Sequence, residues 1–99
     1  DRRAIFSVTP RVRIEEDAST RATVVEAEGL DRPGLLFELT QTLAEEGATI
    51  TSAHISTYGE RAVDAFYLQT KDGQKFYDDG ALARIKKALE EVLASGSEA

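Results

Sequence analysis

Apolar and polar positions along this chain switch twice from an extended pattern to a helical one. Arg11-Val12-Arg13-Ile14-Glu15 alternates strictly, the period of a half-buried strand. Glu16-Asp17-Ala18-Ser19 reads as a turn, and Arg21 to Ala27 follows as a second β-prone run, so the two segments predict a hairpin. Upstream, Ile5–Val8 is short, apolar and β-prone, and Pro10 stops it, which leaves residues 1–9 as an N-terminal extension. Asp31-Arg32-Pro33-Gly34 then breaks the strand pattern. Asp31 is suited to cap a helix, and Pro33 loses no useful donor in a first turn. Leu35, Leu36, Leu39 and Leu43 recur at helical spacing and Gly47 suits the C′ position, so a helix is predicted from Pro33 to Glu46.

The second half repeats this order. Thr49 to Tyr58 is rich in β-branched residues and has no helical stripe. Gly59-Glu60 is a two-residue turn into a strand from Arg61 to Thr70, a register that sets Thr57 opposite Ala62, Ile55 opposite Asp64 and Ala53 opposite Phe66. After a turn at Asp72-Gly73, Asp78 or Asp79 caps a helix with the stripe Leu82, Ile85, Leu89, Val92 and Leu93. Ser95 to Ala99 reads as a flexible tail. The order β-β-α-β-β-α predicts an α+β, ferredoxin-like sandwich over residues 10–94, with two helices on one face of a four-stranded antiparallel sheet. It is a permuted version: the leading strand takes the edge that a strand after the second helix usually fills. The Arg61–Thr70 strand is apolar on both faces, which predicts cover on its open side by another subunit or a neighbouring domain.

Composition narrows the function. Ninety-nine residues make one domain. A net charge of -6 opposes nucleic-acid binding, which rests on cations meeting phosphates. No apolar run approaches the roughly 20 residues that span a bilayer, and Asp1-Arg2-Arg3 does not open a signal peptide. Without cysteine there is no disulfide framework or thiolate zinc site, which is compatible with a cytoplasmic setting. Methionine is absent even at position 1, so an excised domain is expected. The paired acids Glu15-Glu16, Glu45-Glu46, Asp78-Asp79 and Glu90-Glu91 have no histidine beside them and read as solvated faces; no metal and no cofactor is expected. His54 is the lone histidine. In the predicted strands it shares a face with Ser52 while Asp64 points to the other, so no catalytic triad is expected and the chain is not read as an enzyme.

The richest segment is Gly29 to Leu36. A helix start offers unpaired N–H groups and partial positive charge, a seat for a carboxylate, and Gly34 lets a ligand approach the backbone. On periodicity alone, Asp-x-Pro-Gly reads first as an ordinary strand-to-helix turn with a good cap. Asp31-Arg32-Pro33-Gly34-Leu35-Leu36, followed by a helix, Gly47 and a strand bearing Ile50, resembles the opening of an ACT domain. The run Ser52-Ala53-His54-Ile55-Ser56-Thr57-Tyr58-Gly59-Glu60-Arg61-Ala62-Val63-Asp64-Ala65-Phe66-Tyr67 is similar to the C-terminal ACT domains of bacterial bifunctional uridylyltransferase/uridylyl-removing enzymes, which modify PII nitrogen-signalling proteins. The resemblance implies a regulatory domain that reports a free amino acid, glutamine foremost, to distant sites. It implies a ligand held between two ACT copies: Asp31, Arg32, Pro33, Gly34 and Leu35 from one, and Thr49, Ile50, Thr51, Ser52, Ala53 and His54 from the other. Thr49 stands where many such domains carry an amide, and its hydroxyl offers one donor where Asn offers two and an acceptor. The alternative is an ACT-like docking or dimerisation module that binds no small molecule.

Overall fold

The computed structural model describes residues 8–97. The expected Ile5–Val8 strand lies outside them except for Val8, which with Thr9 and Pro10 belongs to no regular element. The elements are β1 (Arg11–Glu15), β2 (Thr23–Leu30), α1 (Leu35–Glu45), β3 (Thr49–Tyr58), β4 (Arg61–Gln69) and α2 (Asp79–Ser97). They form one antiparallel sheet in the order β1-β2-β4-β3, so β1 does occupy the permuted edge beside β2. Tyr58 pairs with Arg61 across Gly59-Glu60, and Thr57, Ile55 and Ala53 face Ala62, Asp64 and Phe66. Gly59 alone in that turn has a positive φ, 64°, as a turn with glycine at its first central position requires.

The core lies between the sheet and both helices. Val12, Val25, Ala27, Ala62, Phe66 and Leu68 point inward from the sheet to meet Leu35, Leu39 and Leu43 of α1 and Leu82, Ile85, Leu89 and Leu93 of α2. Phe66, Leu39, Leu43, Ile85 and Leu89 are wholly enclosed, and each such side chain contributes about 1.5–3 kcal/mol relative to exposure. Leu36 departs from the expected stripe: it stands 42% exposed, one residue round the helix from Leu35. β2 begins at Thr23 instead of Arg21, because the Ser19 hydroxyl accepts the N–H groups of Arg21 and Ala22 at 3.1 Å and keeps them in the turn. It also runs three residues past Ala27, pairing Gly29 with Ala62 and Leu30 with Arg61.

Both helices end by definable chemistry. Gly47, φ 83°, closes α1: its N–H and that of Ala48 donate to the carbonyls of Ala44 and Leu43 at 3.0 Å each, a Schellman arrangement. Asp78 is the cap of α2, since its carboxylate accepts the Gly80 N–H at 2.9 Å and its carbonyl accepts the Leu82 N–H at 3.1 Å. α2 continues through Ser97, so the tail expected from Ser95 starts as helix; the Ser95 hydroxyl donates to the Val92 carbonyl at 2.9 Å within that turn. Residues 98–99 lie outside the described chain. Replacing Asp78 with Ala should cost about 1 kcal/mol, read as a lower urea midpoint at an unchanged slope. An unmoved midpoint rejects the cap.

Candidate functional site

The loop from β2 to α1 is built by three backbone bonds. Asp31 N–H donates to the Glu60 carbonyl at 2.7 Å, pinning the chain to the β3–β4 turn as it leaves β2. Leu35 N–H then donates to the Arg32 carbonyl at 3.2 Å, closing a turn with Pro33 and Gly34 in its centre. Gly34 has φ 82° and ψ −3°, the third position of a type II turn, which a side chain would strain. Its carbonyl accepts the Glu38 N–H at 3.0 Å, so Gly34 is the residue from which α1 springs. Two expectations are corrected here. α1 starts at Leu35, not Pro33, because Pro33-Gly34 is spent on the turn. Asp31 does not cap it, because its backbone is held by Glu60 and no side chain caps this helix. Among the described residues the N–H groups of Leu36 and Phe37 therefore meet no acceptor, and they point back along the helix axis toward the loop. Leu36 and Phe37 are 42% and 68% exposed.

Thr49 to His54 stand elsewhere. Leu30 pairs with Arg61 and Arg61 with Tyr58, so the loop sits at the Tyr58 end of β3, whereas Thr49 pairs with Gln69 at the opposite end. Nine residue steps at ~3.4 Å put Thr49 roughly 30 Å from that end. One copy of the chain thus does not bring the two groups together. β3 is a sheet edge. Ser52 and His54 lie on the open face opposite Tyr67 and Ala65, with the His54 ring 5.7 Å from that of Tyr67, while Ala53 lies on the helix-facing side opposite Phe66. Ile50 packs against the core. Thr51 is the extra residue of a bulge and donates its hydroxyl to the Tyr67 carbonyl at 3.2 Å. Two open recesses, of about 480 and 520 Å³, lie between the helices and at the far end of the sheet, and neither is lined by residues 31–35 or 49–54.

The charged groups hold two surprises. Arg32 pairs with Glu38, donates to the Val92 carbonyl at 3.5 Å, and is 21% exposed, so its guanidinium turns toward the helices. Asp64 is 3% exposed, and one of its oxygens finds no partner. Burial pushes its carboxyl up from the usual range and the charge of Asp31 adds to this, against a lowering by the Ser56 backbone. The signal was available in the alternation of β4, where Asp64 falls in the inward phase with Ala62, Phe66 and Leu68. Ser52 and His54 face the other side, so these three residues form no triad.

As pH rises past about 3.9, the unfolded chain gives up the Asp64 proton while the native one keeps it, so native Asp64 binds more protons and stability falls until the folded group also ionises. Asp64→Asn cannot ionise, so it should remove that acid-side slope and gain stability relative to the parent as pH rises from 3 to 7. Equal stability and slope in both proteins, by thermal unfolding between pH 3 and pH 7, would reject the buried charge.

A permuted ββαββα sandwich whose first helix springs from a glycine turn is consistent with the ACT domain that the sequence resembles. The model of the ACR family N-terminal ACT domain matches residues 18–96, and the chain belongs to the ACT-domain family. Its relatives include the bifunctional uridylyltransferase/uridylyl-removing enzyme of Caulobacter vibrioides, 56% identical over 88 residues, which are 89% of this chain and 9% of that protein. The enzymes of the same description from Phenylobacterium zucineum and Azospirillum brasilense are 51% and 47% identical over 93% and 97% of this chain, and 9% and 10% of theirs. The chain spans about a tenth of the length of these relatives. Among solved structures, one of a protein described as a glycine cleavage system transcriptional repressor aligns with TM-score 0.55 at 20% identity, over 76% of this chain and 39% of that one, a likeness of fold alone.

Proposed function

We propose that this ACT domain is a regulatory unit that binds a free amino acid, glutamine foremost, between two ACT copies. In this reading it controls uridylyl transfer and removal on PII proteins by a cytoplasmic parent enzyme. The relatives at 47–56% identity carry those two activities in their names. Asp31 to Leu35 supply the loop of one copy and Thr49 to His54 the strand of the other.

The observation that carries this reading is the pair of free N–H groups at Leu36 and Phe37 beside a turn that leaves no side chain over them. Such amides and the helix dipole suit the carboxylate of an amino acid. A millimolar sensor needs only about -4 kcal/mol, and two charge-assisted bonds at ~1.5–3 kcal/mol each supply that after ordering costs. The second copy has a place to add. β1 is guarded by Pro10, Arg11, Arg13 and Glu15, the devices that keep sheet edges from pairing, whereas β3 carries no proline and no acidic, lysine or arginine residue over its ten positions. An antiparallel partner on that edge would set its Thr49 beside this copy's Tyr58, and so beside the loop.

The docking reading draws on Thr49, which lacks an amide, and on Val63, Ala65 and Tyr67, half-buried on the open face. Titration calorimetry with glutamine to high millimolar, paired with sedimentation at several protein concentrations, separates the two. Sensing predicts binding heat and a dimer fraction that grows with glutamine. A dimer that gives no heat with any amino acid leaves docking. Gly34→Ala should weaken glutamine binding about tenfold, because the strained φ tilts the first turn; unchanged affinity would place the ligand elsewhere.

A further inference from the structure

We propose that the β2–α1 loop is latched to the C-terminal end of α2, and that loosening this latch lets the last turns of that helix shift. What would drive the shift, an amino acid seated at the start of α1, rests on the reading above; the latch itself does not.

Two contacts bracket the loop, and both land on successive residues of α2. The first is at Gly29, just before β2 ends. A Cβ built there would stand 2.8 Å from Cδ2 of Leu93, so the leucine is seated directly on bare backbone. Gly29 has no positive φ that would call for glycine. Glycine weakens a strand interior, and close approach of another element is the physical reason left for it. Leu93 is 2% exposed, so it has little room to retreat. The second contact is Arg32, inside the loop, whose guanidinium joins Glu38 on the first turn of α1 to the carbonyl of Val92. That carbonyl also takes the Ser95 hydroxyl, tying the contact into the last turns of α2.

Arg32 is poised to exchange partners. Its Nε is buried and bonded to nothing, a donor the present arrangement leaves unused. The free amides of Leu36 and Phe37 lie on the same helical turn as Glu38. An anionic group seated on them competes with Glu38 for the guanidinium and loosens its hold on Val92. The end of α2 is then freed to slide over Gly29, where no side chain blocks it.

Amide hydrogen exchange on the ligand-free chain tests the latch without any ligand. In Arg32→Ala, exchange should speed up about threefold or more at residues 90–95 as well as at 34–38, with Phe66 and Leu68 unchanged. Both contacts leave the same nitrogen, Nη2; Arg32→Lys keeps the charge for Glu38 on a side chain one atom shorter, and should free residues 90–95 almost as fully. Gly29→Ala reaches the same end from the other contact. Acceleration confined to residues 32–38 in both Arg32 variants overturns the proposal. Glutamine is then added while binding heat is read separately. Binding that leaves 90–95 as they were overturns the driven shift and spares sensing; coupled exchange without binding heat spares the latch and overturns sensing.

Discussion

Pairing of β2 with β4 holds the molecule together. From Thr23 with Leu68 to Leu30 with Arg61, two central strands meet in unbroken antiparallel register. Each pairs on its other side with an edge strand. A slip of one residue would turn one strand's inward row to the open face, either Val25 and Ala27 of β2 or Ala62, Phe66 and Leu68 of β4, and bring Glu26 and Glu28 or Tyr67 inward in their place. The same register decides where the chain exits. Because Leu30 ends opposite Arg61, Asp31 arrives beside Glu60, and the turn that frees the first amides of α1 is built against a fixed wall. It also places Asp64 in the inward row, so the sheet tolerates one buried carboxylate as a consequence of the alignment that buries Phe66. Thr23 serves this pair in another way: wholly buried, its hydroxyl accepts the Phe76 N–H at 3.0 Å and holds the segment before α2 against the sheet.

Where local pattern and tertiary packing agree, the sequence was readable. The bounds of β1 and β3 and the register of the β3–β4 hairpin followed from alternation and a two-residue turn. Leu82, Ile85, Leu89 and Leu93 of α2 are buried as their spacing implies, and Val92 is packed against them. The ACT likeness seen in Asp31–Leu36 and Ser52–Tyr67 is matched by the family model over residues 18–96. The start of α1 was misread because Asp31 has the chemistry of a cap, whereas the Pro33-Gly34 pair has the chemistry of a turn; in the fold the turn prevails. The strand expected to stop at Ala27 runs on through Gly29 to Leu30, and only the packed fold shows why position 29 is glycine: Leu93, from the far end of the chain, occupies the space a side chain would need. The direction of Arg32 was not legible for the same reason: Glu38 and Val92 meet it only after both helices have packed. For the candidate site, the elements that carry residues 31–35 and 49–54 were legible, whereas their separation was not, since it follows only from Leu30 pairing near the Tyr58 end of the sheet and Thr49 pairing with Gln69 at the other.

That separation has a thermodynamic consequence. In the proposed arrangement a ligand clasped by the loop of one copy and by Thr49–His54 of another would bind only the associated form, so each event would favour the other by the same coupling free energy. Affinity in such an arrangement would depend on how often β3 edges meet, and on that edge this chain carries none of the proline or charged residues that keep edges apart. Tethering copies raises their effective concentration and tightens the response with no new contact. The loop sits where this coupling would be felt. It touches the β3–β4 turn through Asp31 and α2 through Arg32, so a ligand that changes its seat bears on the sheet edge and on the second helix together.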